Sequence, residues 1–324
     1  MYWFSIIVPM LGDRRLFDDT LASVLRNRPN NSQIVVVHDG AYEDPYGLKD
    51  EVDFIAADSP ADLAGFFNTA FQATAGDLIA MIRPGVELAE GWNETVERSF
   101  DNADVGSVTP LLVSQSSPRL VAAVGVKKGL GFQRQIVGTH SKIASRRIRK
   151  LLPLGPTAWA AFYRASALED VGPVGDQLDS VYLDLDLALS LKTLGYKNTV
   201  CPECVLQLND DSGFNEEMST AHGQSAQRAY RRHAAQSSTS SPLIPSACVF
   251  AMEVLAAPLK PWKLKHALQR LTAGRSAQAD QAYAEHLTTQ AKQRLSASMN
   301  GVLVHASNSE AVSPADAFQD RRAA

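Results

Sequence analysis

Three cysteines in 324 residues are too few for a disulfide scaffold, and their scarcity fits a reducing compartment. No stretch approaches the roughly 18 apolar residues of a membrane-spanning helix, so none is predicted. The nearest candidate, Ser246 to Leu259, is short and interrupted by Glu253. The N-terminal Met1-Tyr-Trp-Phe-Ser-Ile-Ile-Val-Pro9 has neither a basic n-region nor a small-residue cleavage site, and is not expected to be a signal peptide. Charge of either sign is not in excess: 31 Lys and Arg against 35 Asp and Glu give −4, which removes the global basic field of a nucleic-acid binder. We find no internal repeat. These absences leave a soluble, cytoplasmic chain as the expectation. One further absence is local. Val105 to Leu168 contains no Asp or Glu, yet Arg119, Lys127, Lys128, Arg134, Lys142, Arg146, Arg147, Arg149, Lys150 and Arg164 lie within it. Charge is therefore partitioned along the chain.

What is present reads as alternating strands and helices. Apolar residues make up 45% of the chain, enough to bury a substantial core in one large domain or two ordinary ones. Short apolar runs at Phe4 to Val8, Ile34 to Val37, Val52 to Ala56 and Leu78 to Ile82 predict strands buried on both faces. Between them Leu16, Thr20, Leu21, Val24 and Leu25 repeat at helical spacing. A second helix is predicted to open at Ser59-Pro60 and run to about Ala73, with Asp62 near its positive end. A third covers Trp92 to Phe100. This order predicts an α/β fold, a mainly parallel sheet with helices on both faces. Thr157 to Arg164 reads as a further strand, and Val181 to Leu194 as a helix closed by Gly195. Beyond it, His222 to Ala235 is a polar, basic helix and Ser237 to Pro242 a loop. Leu264, Leu268 and Leu271, then Tyr283, Leu287, Ala291, Leu295 and Met299, mark helices expected to pack on the body or on each other. From Asn300 the composition predicts a frayed tail. The expected organisation is thus an α/β domain over 1–210, a helical extension over 211–299 and a tail over 300–324.

Open α/β sheets bind ligands beyond the carboxyl ends of their strands, which singles out Pro9 to Arg14, His38 to Asp44, and Arg83-Pro84-Gly85. Several segments flank those positions: Ile6-Ile-Val-Pro9, Thr20 to Leu25, Ile34-Val-Val-Val-His-Asp-Gly40, Phe67-Asn68 through Ala75-Gly76-Asp77-Leu78-Ile79, Gly155 to Arg164, Leu168 to Gly172, Tyr182 to Leu189 and Leu194-Gly-Tyr196. In this order and spacing they resemble a family 2 glycosyltransferase domain of GT-A fold, over most of residues 3 to 210. The resemblance implies an inverting transferase that moves a sugar from a nucleotide-diphosphate donor to a hydroxyl acceptor, in polysaccharide or glycoconjugate synthesis.

Its motifs map onto particular residues. The family's acid that pairs with the donor's base falls on Asp39, with His38 in place of a preceding acid; a carboxylate suits the imide N–H of uracil or thymine. Asp39-Gly40 is equally a turn sequence. Pro9 and Gly85 would line the nucleotide-sugar crevice. The metal-binding Asp-x-Asp expected after the fourth strand is replaced by Arg83-Pro84-Gly85, a degenerate motif. Mn or Mg is the family norm, but a hard cation needs oxygen ligands and Arg83 would repel it, so no metal is predicted. Arg83 would instead neutralise the diphosphate. Asp184 falls on the family's general-base position, with Leu183 in place of the preceding Glu. Asp184 and Asp186 would also serve as first-turn helix carboxylates.

The alternative implied by these departures is a non-catalytic GT-A-like binding or assembly protein. Cys201-Pro-Glu-Cys204 lacks a second pair or a nearby His, so it is not read as a zinc or redox site. The basic segments read first as a solvated face and Trp262 as a core residue; the alternative for them and for Pro261-Trp262-Lys-Leu-Lys265 is weak peripheral contact with the inner face of a membrane.

Overall fold

The computed structural model describes residues 2–57, 62–143, 148–175, 178–209, 222–234, 246–256, 262–272 and 277–310. A 10-stranded sheet organises it. β1 (Phe4–Pro9) lies between β2 (Ser32–His38) and β4 (Leu78–Ile82), all parallel, and β3 (Asp53–Ala56) extends the parallel set beyond β2. On the other side β11 (Ala160–Arg164) runs antiparallel to β4 and to β6 (Val105–Ser114). β7 (Leu120–Ala123) and β10 (Ser141–Lys142) continue past β6. β12 (Lys197–Leu208) pairs in parallel with β6 and antiparallel with the short β5 (Val86–Glu87). A separate hairpin joins β8 (Gly125–Lys128) to β9 (Arg134–Val137).

The alternation of side chains along the strands makes two cores. Phe4, Ile6, Val8, Ile34, Val36, Leu78 and Ala80 face one layer, packed against Phe17, Leu21 and Val24 of α1 (Arg14–Asn27) and Trp92 and Val96 of α3 (Trp92–Ser99). Ile7, Val35, Val37, Ile79 and Met81 face the other, against Leu63, Phe66 and Phe67 of α2 (Leu63–Gln72) and Leu183, Leu187 and Leu191 of α5 (Leu183–Thr193). Both faces of the central strands are covered, which explains their unbroken apolar sequences. The strong β-branched runs thus place strands where the sequence expects them. Asp62 caps α2, its carboxylate accepting from the Gly65 N–H at 2.7 Å, and the described helix starts at Leu63. Residues 58–61 lie outside the described residues.

Pro202 cannot donate to a ladder, and the β6–β12 register shifts between Val200 and Val205 around it. Cys201 and Cys204 flank that irregularity as free, buried thiols within the first core. Burial raises the Cys204 pKa and Cys201 adds to the rise, which keeps it a thiol.

The C-terminal helices are α6 (Gly223–His233), α7 (Ser246–Ala256), α8 (Trp262–Thr272) and α9 (Ala277–Glu310), with the seven-residue α4 (Ala165–Val171) earlier in the chain. The stripe on α9 packs as its spacing suggests only in part: Leu287 is buried with Tyr283 and Ala291 against the second core, but Leu295 is exposed. The α9 backbone stays helical to Glu310, past the Asn300 at which composition suggests fraying, because adding residues to a formed helix avoids the cost of nucleation. On α8 the expectation fails. Leu264, Leu268 and Leu271 face outward, while His266, Ala267 and Arg270 are buried. No described helix is long and apolar enough to cross a membrane.

Candidate active site

The position at which open α/β sheets take ligands lies beyond the carboxyl ends of β1, β2 and β4, bordered by the start of β11. Pro9 ends β1 buried, and the register Ile7↔Met81, carried on by two residues, sets it level with Arg83. Asp13 then caps α1, accepting from the Arg15 N–H at 2.7 Å and the Leu16 N–H at 3.3 Å. Arg14 turns back over the Tyr42 ring, 4.7 Å from its centroid, and Tyr42 stacks on Phe54. The Tyr42 hydroxyl is buried without a hydrogen-bond partner. After β2, His38 is buried and its Nδ1 accepts from the Gly40 N–H at 3.0 Å. Asp39 is exposed, and one carboxylate oxygen accepts from the Ala41 N–H at 3.1 Å. The Asp39 turn therefore exists, and the exposed carboxylate is accessible to a ligand.

The backbone beyond β4 is held on several sides. Arg83 N–H donates to Trp159 O at 2.9 Å, Gly85 N–H to Thr20 Oγ1 at 2.9 Å, and Asn209 N–H to Gly85 O at 2.7 Å. Gly85 has φ +93°, a left-handed conformation that side chains other than glycine rarely adopt, so this turn needs glycine. The Arg83 guanidinium lies over the Trp159 indole, 4.2 Å from the ring centroid. The donor set here is a guanidinium, a Pro and a Gly. Glu87, the nearby carboxylate, accepts from the Asn209 side-chain amide. That set does not fit a divalent cation. Among the described residues no three His, Cys, Asp or Glu cluster as metal ligands.

Asp184 sits in the first turn of α5 with a side chain 0% exposed. Arg134 grips it in a fork: Nε to Oδ1 at 2.8 Å and Nη2 to Oδ2 at 2.7 Å. The Ala158 N–H adds a bond to Oδ2 at 3.1 Å. Ala158 precedes Trp159, so one dipeptide touches Asp184 through its backbone and Arg83 through its indole. Pro9, Arg83 and Gly85 thus share one border of the crevice, Asp39 stands on its β2 rim, and Asp184 lies behind β11's entry, closed by Arg134. Sequence reasoning does not assign roles to Trp159 or Arg134. Trp159 is inside the Gly155 to Arg164 segment, and Arg134 is one of ten cations in an acid-free stretch, so the signal was a group and not a residue.

Asp186 points elsewhere, as residues two apart on a helix must. His233 Nε2 lies 2.7 Å from its Oδ1 and Arg232 Nη1 3.1 Å from its Oδ2. Arg232 also donates to Asp280 of α9 at 3.1 Å, and Arg228 reaches the same Asp280 oxygen at 2.9 Å. Burial pushes the Asp186 pKa up, but His233 and Arg232 more than offset this and hold it below the usual carboxylate value. A groove of about 740 Å³ beside Arg231 and α9 touches none of the crevice residues.

No family model matches the chain, and no curated protein matches it at the sequence level. Solved structures do. A mannosyltransferase from Pyrobaculum calidifontis, in complex with GDP-Man and Mn2+, superposes over 97% of this chain and 81% of its own, with TM-score 0.50 and 14% identity. S. aureus TarS in complex with UDP-GlcNAc gives TM-score 0.54 over 91% and 92%, at 13% identity. GalNAc-T7, with UDP, GalNAc and Mn2+, gives TM-score 0.55 at 12% identity; 82% of this chain is covered, but only 54% of that one. The fold is of the GT-A type. At these identities the similarity speaks for the fold alone.

Proposed function

We propose that this chain is a glycosyltransferase resembling family 2, which moves a sugar from a nucleotide-diphosphate donor to a hydroxyl acceptor with inversion. The observation that carries the reading is the placement of Arg83 at the end of β4, over Trp159 and beside Gly85, in a GT-A-type crevice. The acceptor oxygen attacks the anomeric carbon as the bond to the diphosphate oxygen breaks. The hydroxyl proton passes to Asp184, and the diphosphate leaves with its negative charge. Arg83 faces that charge with a bidentate fork, the task that an intact Asp-x-Asp motif would leave to a metal. Asp39 and Pro9 shape the base pocket, with Asp39 accepting a pyrimidine imide proton. Positioning and leaving-group stabilisation supply most of the rate.

A second reading has its own observation. The fork from Arg134 and the Ala158 N–H occupy Asp184, which favours a GT-A-like binding or assembly protein without catalysis. For the catalytic reading, Arg134 must release Asp184 when an acceptor enters. A thermal-shift series with UDP, dTDP, GDP and their sugars, with and without Mn2+, tests the donor site. The expected result is a raised melting temperature with a pyrimidine diphosphate sugar, indifferent to Mn2+ and reduced in Arg83→Ala. A shift that requires Mn2+ would overturn the Arg83 assignment. Binding without any release of nucleoside diphosphate on adding acceptors would select the non-catalytic reading.

A further inference from the structure

α7 and α8 are built inside out. The α7 sequence, SACVFAMEVLA, carries one charged residue, Glu253, and that residue is buried. Its carboxylate is met by Arg270 Nε at 3.1 Å, His266 Nδ1 at 3.0 Å and Gln133 Nε2 at 2.9 Å. Arg270 and His266 come from α8, so the two helices hold their polar groups between them and on the body. Close approach requires Gly131, which has φ +60° and where a Cβ would strike Val249 of α7. The apolar side chains are left outside. Leu255 is 80% exposed, Leu271 64% and Leu268 53%, with Met252 and Leu264 beside them. A helix this apolar is normally buried on all sides, and here the face that needs covering has no cover from the described chain.

We infer that this face docks on an anionic lipid surface. Its charge selects the occupant. From Val254 to Ala279 the sequence has no Asp or Glu; Arg270 is spent on Glu253, and α8 carries Lys263 and Lys265 besides. Lys265 is exposed on the flank of the α8 leucine stripe, where its apolar stem can lie along the face while the ammonium reaches a headgroup. A second copy would set one basic rim against another. At 11 residues each, the helices are too short to span a bilayer, and they suit lying in its interface. The α8 lysines and the leucines act together, as stable anchoring needs both a hydrophobic and an electrostatic signal.

Flotation of the full-length protein with vesicles of equal parts phosphatidylglycerol and phosphatidylcholine, against phosphatidylcholine alone, tests this. Binding is expected to the anionic vesicles, weakened by salt. The triple variant Leu255→Gln, Leu268→Gln, Leu271→Gln is expected to lose at least about tenfold in binding, since it strips apolar area from the docking face. Its melting temperature should stay unchanged, because those side chains are exposed. Lys263→Glu with Lys265→Glu is expected to erase the preference for anionic lipid. Absence of binding at low salt, or a triple variant that binds like the parent, overturns the inference. So does a dimer in solution that the triple variant converts to monomer, since a second copy would then cover the face.

Discussion

Asp186→Ala is expected to cost about 3–5 kcal/mol of unfolding free energy, because it strands buried positive charge. Arg232 has a side chain 2% exposed and donates to both Asp186 and Asp280, so deleting one carboxylate leaves it half-paired in the interior. His233 loses its close partner at the same stroke. The network also joins α5 to α6 and α9, with Tyr283 adding a ring face to Arg232 at 4.6 Å and a hydroxyl contact to Ser190 at 2.9 Å. Unfolding in urea followed by circular dichroism would read the loss. A change below about 1 kcal/mol, the level of an exposed pair, would mean that water reaches the network.

The same carboxylate sets the acid limit. Its folded pKa is depressed, so its stabilisation is fully present above the unfolded value of about 4 and disappears as pH falls through the lower folded value. Glu253 behaves alike: burial pushes it up, and His266 and Arg270 hold it below its ordinary value. The melting temperature is expected to vary little between pH 7 and about 5 and to drop below about 4. A drop that begins near pH 6 would indicate histidine titration as the cause instead.

Asp184→Asn is expected to lower sugar transfer by about 10²–10⁴-fold, the range of a lost general base. The substitution keeps the shape and an oxygen for the Ala158 N–H, but leaves Arg134, with a side chain 6% exposed, without its counter-charge. Activity loss alone would therefore mix chemistry with destabilisation. Arg134→Gln separates them, since it retains the carboxylate while breaking the fork. If Asp184 is the base, this variant melts lower yet keeps or gains turnover, because the carboxylate is no longer held by the guanidinium. If Asp184 only anchors the fold, turnover and melting temperature fall together. Full turnover in Asp184→Asn would remove the residue from the chemistry.

The strands and their two-layer burial could be read from the sequence because β-branched runs with turn residues at their ends carry their own signal. Ile34-Val35-Val36-Val37 is such a run, and it lies buried on both sides of the sheet. The position of Arg83 followed from the same logic, as the residue after a strand end. The pairing of Arg134 with Asp184 did not, since 50 residues separate the partners and nothing local marks which cation of ten turns inward. α8 misleads for a related reason. Spacing identifies a face of Leu264, Leu268 and Leu271 but not the direction it points, and here a buried acid on α7 reversed it by drawing Arg270 and His266 inside. Helical periodicity reports amphipathicity; the partner decides orientation.

The turn after β4 has one more consequence. Its amides and carbonyls are already committed to Trp159, Thr20 and Asn209, from three distant parts of the chain. On the proposed reading, a donor would meet a backbone whose conformational entropy was surrendered during folding. Little ordering of this turn remains to oppose association, and only the side chain of Arg83 has to settle. Selectivity at this border is then a matter of shape set in advance, so a donor that fits poorly finds no loop ready to accommodate it.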